Sequence, residues 1–254
     1  MSSTPASHPA FSAPTLDATA AARQRLIVAL DVPGPAEAIE LADHLEGTCG
    51  WVKVGLELYV ASGPAVLDPL LKRGYSVFLD LKLHDIPNTV AGAVRSAAGL
   101  GVGMLTIHAG GGPAMLEAAR SALAGAANPP ELLAVTVLTS MDSAQCAAVG
   151  IAHEPARQVE LLAKMGIGTG IRGFVCSPQE VATLRGLTGP GGVLVIPGIR
   201  PAGADIGDQK RIATPADALR NGASYLVVGR PITQAKEPAQ AAAAIVAEMA
   251  TALA

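Results

Sequence analysis

Ser76-Val77-Phe78-Leu79-Asp80-Leu81-Lys82-Leu83 is the stretch on which the fold turns. Side chains of a strand alternate between its faces, so Asp80 and Lys82 share one face and Leu79, Leu81 and Leu83 the other. The leucines call for a covering layer of helices. The two charges then point into a barrel interior, where an unpaired charge is costly and a paired one tolerable. For these two residues alone, a structural ion pair stands beside a catalytic one.

Seven further Val/Ile/Leu-rich runs flank this one: 26–31, 51–55, 104–109, 132–139, 173–177, 192–199 and 225–229. Helical segments separate them, near 35–46, 64–73, 88–99, 113–124, 155–165 and 237–252. Alternating βα units build a parallel sheet, and eight of them predict closure into a single α/β domain, a (β/α)8 TIM barrel over 23–254. Ser177-Pro178-Gln179-Glu180 reads as an N-cap, a first-turn proline and a capping glutamate. Thr214-Pro215-Ala216-Asp217 repeats the pattern, and Gly222 supplies a left-handed stop. A doubly wound open sheet would use the same units. Its dinucleotide fingerprint is missing, because Gly110-Gly111-Gly112 follows the fourth run rather than the first.

Composition narrows the function. The net charge is −3 and only 3% of residues are aromatic, so neither phosphate-backbone tracking nor base stacking has a platform and nucleic acid is not expected as a partner. No apolar stretch is long enough to span a membrane. Residues 1–22 are rich in Ser, Pro, Thr and Ala without the basic start and apolar core of a secretory signal, and read as a disordered tail. Cys49, Cys146 and Cys176 are odd in number and lack metal-ligand spacing, which fits reduced core thiols in the cytoplasm.

Barrel active sites lie at the carboxyl ends of the strands, so polar residues closing apolar runs are the informative ones. Asp31, Lys53, Asp80, Lys82, His108, Thr139, Ser140, Arg200 and Arg230 are such residues. Lys53 and Asp85 extend the Asp80/Lys82 pair into a cluster of two acids and two lysines. Two carboxylates about 4 Å apart repel by roughly 4 kcal/mol at an effective dielectric near 20, and interposed ammonium groups offset that. Lys82 beside a reacting carbon is a suitable acid for a strongly basic carbanion. Val227-Val228-Gly229-Arg230 reads as a phosphate grip, with a glycine for close backbone approach and a guanidinium fork, or else as a turn glycine before a surface arginine. The long polar loop 198–209 is predicted to close over the phosphate through Arg200 and Gln209. His108 and His84 could equally be satisfied core histidines, and no pair of histidines has metal-ligand spacing.

Asp80-Leu81-Lys82-Leu83-His84-Asp85-Ile86-Pro87-Asn88-Thr89 resembles the signature of the orotidine 5′-phosphate decarboxylase family. Leu30-Asp31, Val52-Lys53-Val54-Gly55, residues 135–140, Pro197-Gly198-Ile199-Arg200 and Val228-Gly229-Arg230-Pro231-Ile232 support it, over residues 25 to 235. The resemblance implies a homodimeric barrel with shared active sites, no cofactor and no metal, which converts orotidine 5′-monophosphate to UMP and CO2 in pyrimidine biosynthesis. Lys82 would protonate the C6 carbanion, Asp80 would lie beside the departing carboxylate, and Asp85 would come across the dimer interface. Asp31 and Lys53 would hold the ribose, Thr139 and Ser140 would sit by the pyrimidine, and Ile86, Thr89 and Pro197 would line the site. Arg200, Gln209, Gly229 and Arg230 would hold the phosphate.

Two rivals remain. Sugar-phosphate decarboxylases and aldolases of the sister group resemble this barrel but use magnesium and carry an acid where this chain has Lys53, which would repel the metal. A non-catalytic phospho-ligand sensor would keep the phosphate grip but has no need of Lys82.

Overall fold

The computed structural model describes residues 17–201 and 211–254. Among the described residues eight strands are present: β1 Leu26–Ala29, β2 Trp51–Val54, β3 Ser76–Leu83, β4 Met104–His108, β5 Glu131–Val135, β6 Gly173–Val175, β7 Val193–Ile196 and β8 Tyr225–Val228. Each pairs in parallel with its neighbours in chain order and β8 returns to β1, so the barrel closes. Helices follow the strands around the outside, as the alternating runs predict.

Closure gives the strands two buried faces and the protein two apolar layers. Ile27, Ala29, Phe78, Met104, Leu133, Val195 and Val227 fill the barrel interior. Leu26, Val28, Val52, Val54, Val77, Leu79, Leu105 and Ile107 belong to the outer layer, between strands and helices. Period-two alternation therefore sorts each strand. Trp51 meets Tyr225 edge-on at 5.5 Å among the residues packed on the inner layer.

Both sequence-read caps are present. Ser177 accepts the Gln179 amide while Glu180 accepts the Ser177 amide, although the first turn here, Pro178–Glu180, is a 3-10 turn ahead of the helix Val181–Thr188. Thr214 accepts the Asp217 amide at 3.2 Å, and Gly222, at φ 103°, ends the helix Pro215–Arg220. A side chain at Gly222 would also meet Arg185, whose guanidinium donates to the carbonyls of Gly189, Gly192 and Gly222 and to the Ser224 hydroxyl.

Several boundaries differ from the sequence reading: the helices Leu56–Ser62 and Ser143–Ala148 fall in stretches read as connections, and two further differences have a clear physical reason. A tail reaching residue 22 conflicts with the helix Ala18–Arg25, capped by Asp17 and packed against the C-terminal helix Pro238–Thr251 through fully buried Ala22; residues 1–16 lie outside the described residues. Alanine contributes too little apolar contrast for a helical period to show there. The runs 132–139 and 192–199 leave the sheet early, at Val135 and Ile196, so Thr139 and Arg200 sit on loops beyond the ladder.

Candidate active site

A cavity of about 620 Å³ opens at the carboxyl ends of the strands, a volume suited to a nucleotide-sized ligand. Alternation sets its chemistry. Moving two residues along the inward face takes Ala29 to Asp31, Trp51 to Lys53, Phe78 to Asp80 and Met104 to Thr106, so the apolar plug gives way to polar groups in a single step.

The charged groups form one chain. Lys53 Nζ donates to Asp31 Oδ1 at 2.8 Å and lies 3.6 Å from Asp80 Oδ2. Lys82 Nζ donates to both Asp80 oxygens at 2.9 Å. The order Asp31, Lys53, Asp80, Lys82 thus alternates in sign, which makes burial of Lys53 and Asp80, at 8% and 9% exposed, tolerable.

Thr106 completes the inner end. Its hydroxyl accepts the Lys82 amide at 2.8 Å and donates to Asp80 Oδ1 at 3.0 Å. Lys82 has φ 49°, alone in the left-handed region among described non-glycine residues, and β3 slips against β4 there: Leu79 pairs with Leu105 but Leu83 with Ile107. Four residues of β3 thus span two of β4, and the bulge aims Lys82 back at Asp80.

Val32 and Pro33 after β1 and Cys176 after β6 line the cavity too, and most of the remaining wall comes from three loops. Val137, Leu138 and Thr139 follow β5; Pro197, Gly198 and Arg200 follow β7; Gly229, Arg230, Thr233 and Gln234 follow β8. Arg200 is 7% exposed and donates through Nη1 to the Ile199 carbonyl at 2.8 Å. Among the charged groups lining the cavity, Lys53, Lys82, Arg200 and Arg230 outnumber Asp31 and Asp80. Such a cavity favours a multiply anionic ligand.

Asp31, Lys53, Asp80, Lys82, Thr139, Pro197, Arg200, Gly229 and Arg230 therefore meet around one space. Asp85, Ile86, Thr89 and Ser140 do not line it. Asp85 Oδ1 accepts the Ile86 amide at 2.6 Å, and Ile86 is 67% exposed. Gln209 lies outside the described residues, as does most of the loop 198–209. Thr233 and Gln234 line the cavity and Thr106 braces its floor, three roles that the sequence reading does not assign. Thr106 had a signal, as the inward position between Met104 and His108.

His108 stacks on His84 with ring centroids 5.0 Å apart, and its Nδ1 accepts the Gly110 amide at 3.1 Å. Burial holds its pKa below the usual histidine range, with the charges of His84 and Lys82 adding to the effect. All three cysteines are buried and free. Burial pushes the Cys49 thiol up to about 12 and raises that of Cys176, which lines the cavity, so neither is poised as a nucleophile. Among the described residues no three His, Cys, Asp or Glu side chains are grouped to hold a metal ion, and no helix is long and apolar enough to cross a membrane.

Comparison with known proteins agrees with the fold. The model of the orotidine 5′-phosphate decarboxylase / HUMPS family matches residues 24–245. Orotidine 5′-phosphate decarboxylase of Anaeromyxobacter sp. (strain K) is 53% identical over 224 residues, covering 88% of this chain and 97% of that protein. The Halorhodospira halophila protein of the same name is 53% identical over 228 residues, covering 90% and 97%. The crystal structure of orotidine 5′-phosphate decarboxylase from Lactobacillus acidophilus superimposes with a TM-score of 0.78 at 40% identity, over 89% of this chain and 99% of that one.

Proposed function

The chain belongs to the orotidine 5′-phosphate decarboxylase / HUMPS family, and we propose that it converts orotidine 5′-monophosphate to UMP and CO2 in pyrimidine biosynthesis. The observation that carries this reading is the alternating chain Asp31, Lys53, Asp80, Lys82 in a cavity that also holds Arg200 and Arg230. A nucleotide bearing a phosphate and a ring carboxylate matches that excess of cations.

In this reading Arg200, Gly229 and Arg230, with Gln209, hold the phosphate. Asp31 and Lys53 hold the ribose hydroxyls, and Thr139 and Pro197 lie by the pyrimidine. The substrate carboxylate is then set beside Asp80. The bond from C6 to the carboxylate breaks, CO2 leaves, and the electron pair stays on C6. The Lys82 ammonium donates a proton to that carbon and is recharged from solvent. Lys82 is already aimed by its fork on Asp80, so little reorganisation is left for the reaction. Contacts to the remote phosphate raise the rate if their energy orders this cluster.

No metal or cofactor is needed for these steps. Lys53 stands between Asp31 and Asp80, so the carboxylates a divalent ion would require are already engaged by an ammonium group. This favours the decarboxylase over the magnesium-using sister group.

The functional unit in this reading is a homodimer with shared sites, in the cytoplasm. Asp85, Ile86 and Thr89 lie on an exposed segment outside their own chain's cavity, as residues offered to a partner must. Three buried free thiols suit a reducing compartment.

The direct test follows the loss of orotidine 5′-monophosphate absorbance with purified protein and with Lys82→Ala. Turnover by the unmodified chain and its loss in the variant are expected. Binding of the nucleotide without turnover would leave a sensor instead.

A further inference from the structure

We propose that Arg211 is a positioning residue that couples the phosphate side of the cavity to its pyrimidine side, a role that rests on the decarboxylase reading above. Arg211 and Glu180 form an ion pair at the barrel mouth, buried to 8% and 4% exposure. Thirty-one positions separate them in the chain, and neither lines the cavity.

Each member holds a second loop. Arg211 Nη2 donates to the Leu138 carbonyl at 3.1 Å, next to Thr139 in the cavity wall. Glu180 Oε2 accepts the Ser177 amide at 2.9 Å, next to Cys176 in that wall. Two residues beyond Arg211, Ala213 bridges to Ile199 and accepts the Arg200 amide at 3.0 Å. One guanidinium thus ties together the loops after β5, β6 and β7.

Stability alone is a poor reason for this arrangement. Removing two charges from water is expensive, and an apolar pair of similar volume often does as well. Arg211 Nε, moreover, is buried and finds no hydrogen-bond partner among the described residues. What a forked cation supplies here is geometry: it fixes a carboxylate and a carbonyl at once, which a point charge on a flexible stem does not. With the fork in place, a force on Arg200 from a bound phosphate is carried through the Ala213 clasp to Arg211 and on to Leu138 and Thr139. The phosphate contact then helps to set the pyrimidine wall.

Arg211→Lys keeps a cation for Glu180 and removes the second arm to Leu138. The expected result is a kcat lower by about tenfold on orotidine 5′-monophosphate, with KM within about twofold and an unchanged melting temperature. Glu180→Gln, which keeps an acceptor for the Ser177 amide, should give the same signature. In double-mutant cycles Arg211→Lys should be non-additive with Thr139→Ala and additive with Arg230→Ala, which sits on the β8 loop outside the linkage. The cycles are read on kcat and, by calorimetry, on the UMP dissociation constant. Additivity with Thr139→Ala, or a loss of melting temperature with kcat unchanged, would overturn the coupling. An unmodified chain that binds UMP but leaves orotidine 5′-monophosphate intact would overturn only the decarboxylase reading, and the UMP cycle would still decide the role of Arg211.

Discussion

Lys82 Nζ lies 2.9 Å from both carboxylate oxygens of Asp80, although only Leu81 separates the two residues. A regular strand would hold two such side chains parallel on one face. The left-handed backbone at Lys82 and the slip of β3 against β4 turn one onto the other.

That backbone has a measurable consequence. A side chain in the left-handed region costs about 1–2 kcal/mol relative to glycine, more than the roughly 0.5–1 kcal/mol by which glycine weakens an ordinary strand or helix position. Lys82→Gly and Lys82→Ala remove the same ammonium group and should both abolish turnover. The glycine variant should nevertheless be the more stable by about 1 kcal/mol in urea unfolding. If alanine proves the more stable, the left-handed conformation is not retained at that position.

Thr106 makes a second prediction, because its hydroxyl holds both the Lys82 amide and Asp80. Thr106→Val preserves shape and leaves a buried donor and a carboxylate oxygen each short of a partner, a cost of about 1–3 kcal/mol. Displacement of the Lys82 ammonium should also lower kcat about tenfold. Thr106→Ser should recover most of both losses. Denaturant midpoints and kcat on the three proteins decide it, and a fully active valine variant would remove Thr106 from the site.

These two residues mark where the sequence could be read and where it could not. A period of two survives into any buried parallel strand and sets Lys53, Asp80 and Lys82 on the inward face, while Asp31, Thr139, Arg200 and Arg230 reach the same cavity from the loops that leave the strands' carboxyl ends. Thr106 in Met-Leu-Thr-Ile-His looks like an ordinary β-former. Lysine has no preference that would announce φ 49°. The Arg211–Glu180 pair is a product of closure, joining loops whose separation along the chain carries no pattern. Helix Ala18–Arg25 escaped for the opposite reason, since an alanine-rich segment has hardly any apolar contrast to read.

Sharing of sites between subunits is tested by mixing. Asp85 lies outside its own chain's cavity and accepts the neighbouring Ile86 amide. In a dimer with crossed sites, Lys82→Ala and Asp85→Ala homodimers should each be nearly inactive. Their mixture should regain activity in the heterodimers, whose one intact site draws Lys82 from one chain and Asp85 from the other. At most about a quarter of the unmodified activity is expected from random pairing at equal amounts, since half of the dimers then carry one good site. Sedimentation should show a dimer throughout. Full activity in a monomer would end the shared-site account, whatever the mixture does.

His108 predicts the acid side of the stability profile. Its Nδ1 accepts the Gly110 amide at 3.1 Å, which requires the neutral ring. Burial, and then the charges of His84 and Lys82, lower its pKa in the folded state from the ordinary 6.5. Between that lowered value and the unfolded value the unfolded chain binds more protons, so stability rises with pH across the window and is complete above about 6.5. It is lost as the pH falls from there toward the folded pKa. His108→Gln keeps an acceptor within reach of the amide and removes the titration, so its urea midpoint should change less than that of the unmodified chain between about pH 7 and pH 5. Parallel profiles for the two proteins would mean that some other group carries the acid sensitivity.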